Sequence, residues 1–225
     1  DVRVERRILG TGGGIKNTED FWDDDPFVVI NADILTDIDL ERALADHQDS
    51  DAMATLVLHD CEPFNQIKID GSRNITDIAK KHHPERLAFT GIHIINPDLL
   101  SWIPGHSFSD IIACYQTLIG HGKTVKAYIA DHHYWCDIGS MEGYFRANRN
   151  FLDNRVSIAP SCDIAPSARL PEWAVLGERT RLEKDVEVKR SILWEGVTVK
   201  KHVRVIDSVI TSDRTVERDV IGDIY

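Results

Sequence analysis

Nowhere in this chain is an apolar run long enough to cross a bilayer. Its first residues, Asp1-Val2-Arg3-Val4-Glu5-Arg6-Arg7, lack the apolar core of a signal peptide. The expectation is a cytoplasmic protein with no membrane partner. Positive charge is scarce as well: 26 Lys and Arg stand against 37 Asp and Glu, a net charge of −11. That argues against a nucleic-acid surface. It also means that an anionic ligand would need local help from a metal ion, backbone N–H groups or a few placed Lys and Arg. Cysteine is sparse, and the four present (Cys61, Cys114, Cys136 and Cys162) form no CxxC pair. They suit neither a zinc site nor a disulfide framework, and read as reduced thiols. What remains is an ordinary globular composition, 42% hydrophobic and 28% charged over 225 residues. That is room for one large domain, or a medium one with a small companion.

The stretch around which the chain is organised is Phe27-Val28-Val29-Ile30-Asn31-Ala32-Asp33. Four apolar residues in a row predict a strand buried on both faces, as in a parallel sheet. Ligands of open α/β sheets bind at the carboxyl ends of the strands, so Asp33 is expected at the mouth of a crevice. Asn31 and Asp33 equally suit the plain start of a loop. Upstream, a strand-like segment ends at Gly10-Thr11-Gly12-Gly13-Gly14, predicted as a loop ahead of a helix that carries Ile15, Thr18, Phe21 and Trp22. Such a loop brings backbone close to a ligand, although a flexible turn needs the same residues, and the spacing is neither GxGxxG nor a P-loop.

Further on, helices are predicted over 38–48, 109–120 and 141–152, with strands over 52–59, 87–95 and 125–129. Ile67 to Ile69 and Ile75 to Ile78 flank a hairpin turn. Strands alternating with helices imply an α/β layer structure. Thr90-Gly91 lies inside a strand, where a glycine often marks a ligand's approach. The pairs His82-His83 and His132-His133 are expected at the surface or in loops, because neighbours on a strand face opposite ways.

After Asn154 the pattern changes. Ile158, Ile164, Leu170, Leu176, Leu182 and Val188 recur every six residues, in phase with Cys162, Ala168, Ala174, Thr180, Val186 and Ile192. After a one-residue slip it resumes in Leu193, Val199 and Val205 beside Val197, Val203 and Val209. This period predicts a left-handed parallel β-helix over 154–225, following an α/β domain over 1–153. Its open edge, with Trp173 and Trp194, is expected to pack on another subunit or on the α/β domain, and a homo-oligomer is expected.

Three motifs now fall in order: Leu9-Gly10-Thr11-Gly12-Gly13-Gly14-Ile15, Asn31-Ala32-Asp33, and Trp135-Cys136-Asp137-Ile138-Gly139-Ser140, with Thr90-Gly91-Ile92 between the last two. With the hexapeptide tail, the chain resembles the sugar-1-phosphate nucleotidyltransferases. Its nearest look is to mannose-1-phosphate guanylyltransferase-like members and N-acetylmuramate-1-phosphate uridylyltransferases. The resemblance implies a Rossmann-like (GT-A-like) α/β domain, with an NTP and a sugar 1-phosphate as partners. It implies catalytic roles for Asp33 and Asp137 as ligands of Mg²⁺, and a nucleotide contact along Gly10, Thr11, Gly12 and Gly13. It further implies a sugar contact at Asn31, Thr90 and Gly91. Ala32 stands where glycine is usual, and Ser140 where threonine is. The family's opening loop, Gly-x-Gly-Thr-Arg, has no counterpart, so the α/β domain is expected to be N-terminally incomplete by on the order of 60–80 residues, roughly two βα units. A non-catalytic nucleotide-sugar-binding homologue assembled through its β-helix is the alternative. A hexapeptide acyltransferase using His202 is a more distant one.

Overall fold

The structure is a computed structural model and describes residues 1–105 and 107–225. The chain divides into two compact units, Asp1–Trp135 and Cys136–Tyr225.

In the first unit a helix α1 (Gly10–Lys16) and a 3-10 turn (Glu19–Phe21) precede β1 (Phe27–Ile30), β2 (Ile34–Thr36) and α2 (Leu40–Gln48). There follow β3 (Ala54–His59), the hairpin β4 (Ile67–Ile69) and β5 (Ile75–Ile78), and β6 (Ala88–Ile95). A 3-10 turn (Pro97–Trp102), α3 (Ile111–Gly120) and β7 (Val125–Ile129) complete it. Capping fixes the helix starts: Asp39 accepts from Arg42 N and Asp110 from Ile112 N.

The main sheet has the order β1-β6-β3-β7, with β6 antiparallel to both neighbours and β3 parallel to β7. Strands β1, β3 and β7 therefore run the same way. Side chains alternate across β3. Leu56 and Leu58 join Tyr115, Leu118 and Ile15 on one face, while Val57 joins Ala43, Ile92 and Ile94 on the other. The result is a helix–sheet–helix sandwich in which each face buries its own apolar set.

Two expectations are corrected here. The strand buried on both faces is β3, all six of whose residues are buried, and not Phe27–Ile30. β1 is an edge strand, antiparallel to β6, with Phe27 buried but Ile30 exposed. An apolar run reports burial, and it carries no information on strand order. The glycines 10 and 12–14 are also not a loop: they form α1 itself. Glycine disfavours helix by up to about 1 kcal/mol per residue, but these positions touch another backbone. A Cβ on Gly12 would lie 3.0 Å from Ser109 O and one on Gly13 2.8 Å from Ser107 O, while Gly12 N and Gly13 N both donate to Ser109 O. Close packing overrides propensity.

Three histidines are buried here, His47, His59 and His93. Desolvation lowers the pKa of each, His59 to about 4, with the neighbouring His133 adding to the effect, and His93 to about 3. An unfolded histidine titrates near pH 6.5. Between that pH and about 4 the unfolded chain holds more protons than the folded one. Stability is thus complete above pH 6.5 and falls as the pH drops toward 4. Urea midpoints measured from pH 7.5 to 4.5 should show this slope, and His59→Gln should flatten it.

The strand β8 (Trp135–Asp137) carries the chain from the first unit into the second, where α4 (Met141–Asn150) and then short parallel strands from Val156 to Ile221 follow. Val156 pairs with Ala174, Ala174 with Ser191 and Ile192 with Val209, so one coil takes 18 residues and the next two 17. Three hexapeptides make the first coil, and the one-residue slip in the sequence marks the change to the shorter coils. This is a parallel β-solenoid. The first six-residue column points inward: Leu176, Leu182, Val188, Leu193, Val199 and Val205 are all at most 1% exposed. The second does so at Ala174, Val186, Val197 and Val203, but Ile192 and Val209 lie outside that core, because after the slip the inward register falls on Ser191, which pairs with Ala174. The first coil is looser, with Ile158 43% exposed, since it has a neighbour on one side only.

Ion pairs run along the outside. Arg190 reaches Glu172 on one coil (2.9 Å) and Asp207 on the next. The hydrogen bonds that Arg190 donates to Asp207 and then to Glu172 raise its pKa. Arg190→Gln should lower stability by no more than about 1 kcal/mol, because the site is partly solvated; chemical denaturation would measure it. Both tryptophans flagged in the sequence pack on α4 within this unit. Trp194 Nε1 donates to Tyr144 OH (3.2 Å), and Trp173 meets Phe145 edge-on with ring centroids 5.6 Å apart.

Candidate active site

Because β1, β3 and β7 run the same way, their carboxyl ends form one ledge. Asn31-Ala32-Asp33 follows β1, His59 ends β3, and His133 to Trp135 follow β7. The chain turns at Asn31, whose carbonyl accepts from Ile34 N (3.1 Å). Ala32 is not among the residues with positive φ, so alanine is accommodated there without strain. Asp33 stands exposed on this turn, and its carboxylate makes no hydrogen bond or ion pair with the described residues.

The opposite wall comes from a bulge. Leu56 pairs with His93 but Leu58 with Phe89, so residues 90–92 of β6 face Val57 alone. Gly91 sits there with φ +80°, a conformation that disfavours a side chain. A Cβ on it would meet Asn31 Nδ2 at 3.0 Å, and its carbonyl accepts from Asn31 N (3.1 Å). Asn31 and Gly91 are thus brought together. Thr90 is spent within the protein: its hydroxyl donates to Val57 O and its carbonyl accepts from Trp135 Nε1 (2.8 Å). Its effect on the ledge is exerted through Trp135.

The histidines flagged as pairs separate. His132 is exposed, whereas His133 Nε2 lies 3.0 Å from His59 Nδ1 and shares one hydrogen bond with it. His82 lies 3.5 Å from Glu62 and His83 accepts from Glu85 N. The His59–His133 pair escaped sequence reasoning because its members are 74 residues apart; the polar residue ending the apolar run 54–58 was the available signal. Among the described residues no three His, Cys, Asp or Glu side chains are grouped as a metal cluster.

Of the glycine helix, Gly12 and Gly13 are buried against Ser107 and Ser109, while Thr11 is exposed. A cavity of about 290 Å³ beside it is lined by Leu9, Gly13, Lys16 and Asn17. Lys16 is engaged by Glu19 (2.5 Å).

Asp137 opens α4 in the second unit. Its Oδ1 accepts from Gly139 N (2.8 Å). Ser140 then caps the helix, its hydroxyl accepting from Gly143 N (3.1 Å), a task serine performs as well as threonine. Gly143 is indispensable locally: a Cβ would stand 2.0 Å from Asp137 O. The sequence signal for it was a glycine three residues into a capped helix, and it passed unremarked. His202, on the solenoid, is exposed in a left-handed turn 3.5 Å from Asp185.

For a magnesium ion the donor chemistry fits. Asp33 offers a carboxylate free of partners, and Asp137 retains Oδ2 beyond its one backbone contact. Hard Mg²⁺ takes such oxygens together with water and phosphate.

Known proteins resemble this chain in sequence and fold. A UTP–glucose-1-phosphate uridylyltransferase of Synechocystis is 27% identical over 174 residues, 71% of this chain and 45% of that protein. A mannose-1-phosphate guanylyltransferase of Mycobacterium tuberculosis is 25% identical over 88% of this chain and 60% of its own length. The chain thus spans about half the length of the curated relatives it matches. HddC from Yersinia pseudotuberculosis, solved in complex with GMP-PN, superposes with a TM-score of 0.57 at 23% identity, covering 68% of this chain and 67% of that one, a likeness of fold. The family model described as nucleotidyl transferase matches residues 1–154, from α1 through both aspartates and the whole of α4, and the chain belongs to that family.

Proposed function

We propose that this protein transfers the nucleoside monophosphate of an NTP to a sugar 1-phosphate, giving an NDP-sugar and pyrophosphate. The observation that carries the reading is the ledge: an unpartnered Asp33 beside the joined Asn31 and Gly91, in a chain of this family. The names of the relatives, a uridylyltransferase of glucose 1-phosphate and a guanylyltransferase of mannose 1-phosphate, support the reaction class but differ in base and sugar.

In this reading a phosphate oxygen of the sugar 1-phosphate attacks the α-phosphorus, and pyrophosphate leaves. Such transfer depends on positioning and on neutralising charge more than on covalent help from the protein. Asn31 presents its amide to the sugar hydroxyls, and Gly91, lacking a side chain, lets the sugar approach the bulge. Trp135, fixed by Thr90, supplies an apolar wall. Of the helix at Gly10 to Gly13, the exposed Thr11 lies against the nucleotide, Gly12 and Gly13 being packed on Ser107 and Ser109. Asp33 and Asp137 hold Mg²⁺, which when bound neutralises the triphosphate in a chain of net charge −11.

The full-length protein should be incubated with Mg²⁺, each common NTP, and mannose 1-phosphate or glucose 1-phosphate, with phosphorus NMR following the products. One pair should yield an NDP-sugar and an equal amount of pyrophosphate. Binding of NDP-sugar without turnover of any pair would favour the non-catalytic homologue.

A further inference from the structure

The second unit carries a feature that the transfer reaction does not use. Two adjoining cavities of about 420 Å³ each lie between the C-terminal half of α4 and the first coil of the solenoid, sharing Arg149 and Trp173. Arg146 lines one of them and Arg155 the other, so three arginines border a groove in a chain of net charge −11. Arg146 and Arg149 are three positions apart on α4 and so lie on one face, where like charges disfavour each other. The C-terminal end of the helix dipole favours a cation at Arg149, in the last turn of α4. Arg155 is drawn in from the following loop, its Nη1 donating to Pro171 O (2.8 Å).

The acidic side chain among the lining residues is Glu172, and it is already committed. Lys189 stands 2.7 Å from it and Arg190 2.9 Å, and hydrogen bonds from these two residues lower its pKa. Among the described lining residues there is no other carboxylate beside Arg149 and Arg155. Trp173, partly buried and braced by the ring of Phe145, gives the groove a flat apolar element. Guanidinium groups bind phosphate in a planar, two-point geometry and also stack on rings. Each cavity falls in the size range of small-ligand sites.

We propose that this groove binds a phosphate ester carrying a planar ring, a nucleotide, with Arg149 and Arg155 on the phosphates and Trp173 against the ring. The site lies wholly within the second unit and does not depend on the transfer reaction being the protein's activity.

The test is isothermal titration of the full-length Asp33→Asn protein in metal-free buffer, with ADP and separately with inorganic pyrophosphate. Those conditions suppress the magnesium-dependent reaction, so failure of that reaction leaves this result intact. ADP should bind at least tenfold more tightly than pyrophosphate. Adding Arg149→Ala and Arg155→Ala should weaken ADP at least tenfold without changing the melting temperature, both side chains being exposed. Trp173→Leu should bring ADP down to the affinity of pyrophosphate. ADP binding that is absent at millimolar concentration, unchanged in the double arginine variant, or no tighter than that of pyrophosphate would overturn the proposal.

Discussion

Asp33→Asn and Asp137→Asn in the full-length protein should each lower turnover by about a thousandfold or more, with the melting temperature nearly unchanged. The magnitude is that of removing a group that stabilises transition-state charge, about 3–4 kcal/mol. The stability expectation follows from the surroundings. Asp33 is exposed and bonded to none of the described residues, so an isosteric amide there costs little. Asn at 137 keeps an Oδ1 to accept the bond from Gly139 N. Cys136→Ser is the matched control. The buried thiol donates to the Asp137 and Gly143 carbonyls (3.6 Å each), and a hydroxyl can donate there as well. Its turnover should stay within about threefold of the parent, well under 1 kcal/mol. Pyrophosphate release measures all three. Asn variants as active as the parent would remove both aspartates from the chemistry.

Gly143→Ala should destabilise the second unit by about 3 kcal/mol and also lower turnover. On helix propensity alone the change would stabilise by about 1 kcal/mol. The sign is reversed by a steric clash, since the added Cβ would stand 2.0 Å from the backbone oxygen of Asp137. Backbone cannot rotate away as a side chain can, so either α4 or Asp137 must shift, and overpacking of this kind costs about 1–3 kcal/mol or more. Asp137 moves with its carbonyl, which couples the stability loss to activity. Differential scanning calorimetry and the pyrophosphate assay together check it. A variant more stable than the parent would mean that the capped turn from Asp137 to Gly143 is looser than described.

The solenoid was the most legible part of the chain. Each inward position, such as Leu176, Leu182 and Val188, recurs at one fixed interval, and even the one-residue slip appears as a coil of 17 residues in place of 18. The helices over 38–48, 109–120 and 141–152 were legible for a similar reason, because what starts them is local: Asp39, Asp110 and Ser140 each cap a residue two or three positions away. What could not be read was set by partners distant in sequence. Phe27–Ile30 carries the apolar run of a doubly buried strand but lies at the sheet edge, and strand order leaves no mark on periodicity. Gly10 to Gly14 is helical because its backbone packs on Ser107 and Ser109, nearly a hundred residues on. In the candidate site, Asn31, Asp33 and Gly91 stand out by residue type, whereas the hydrogen bond from the Thr90 hydroxyl to Val57 O leaves no mark in the sequence. The alternation of side chains on a strand does not survive a bulge, and the bulge opposite Val57 has no signature beyond Gly91.

The most direct measurement is a crystal structure of the full-length protein grown with Mg²⁺, a non-hydrolysable NTP and a sugar 1-phosphate. A carboxylate oxygen of Asp33 and one of Asp137 should each lie about 2.1 Å from the same ion, which also touches the α-phosphate. An ion held by other residues, or carboxylates on the order of 10 Å apart, beyond the reach of one ion, would contradict the shared metal site on which the proposed transfer rests.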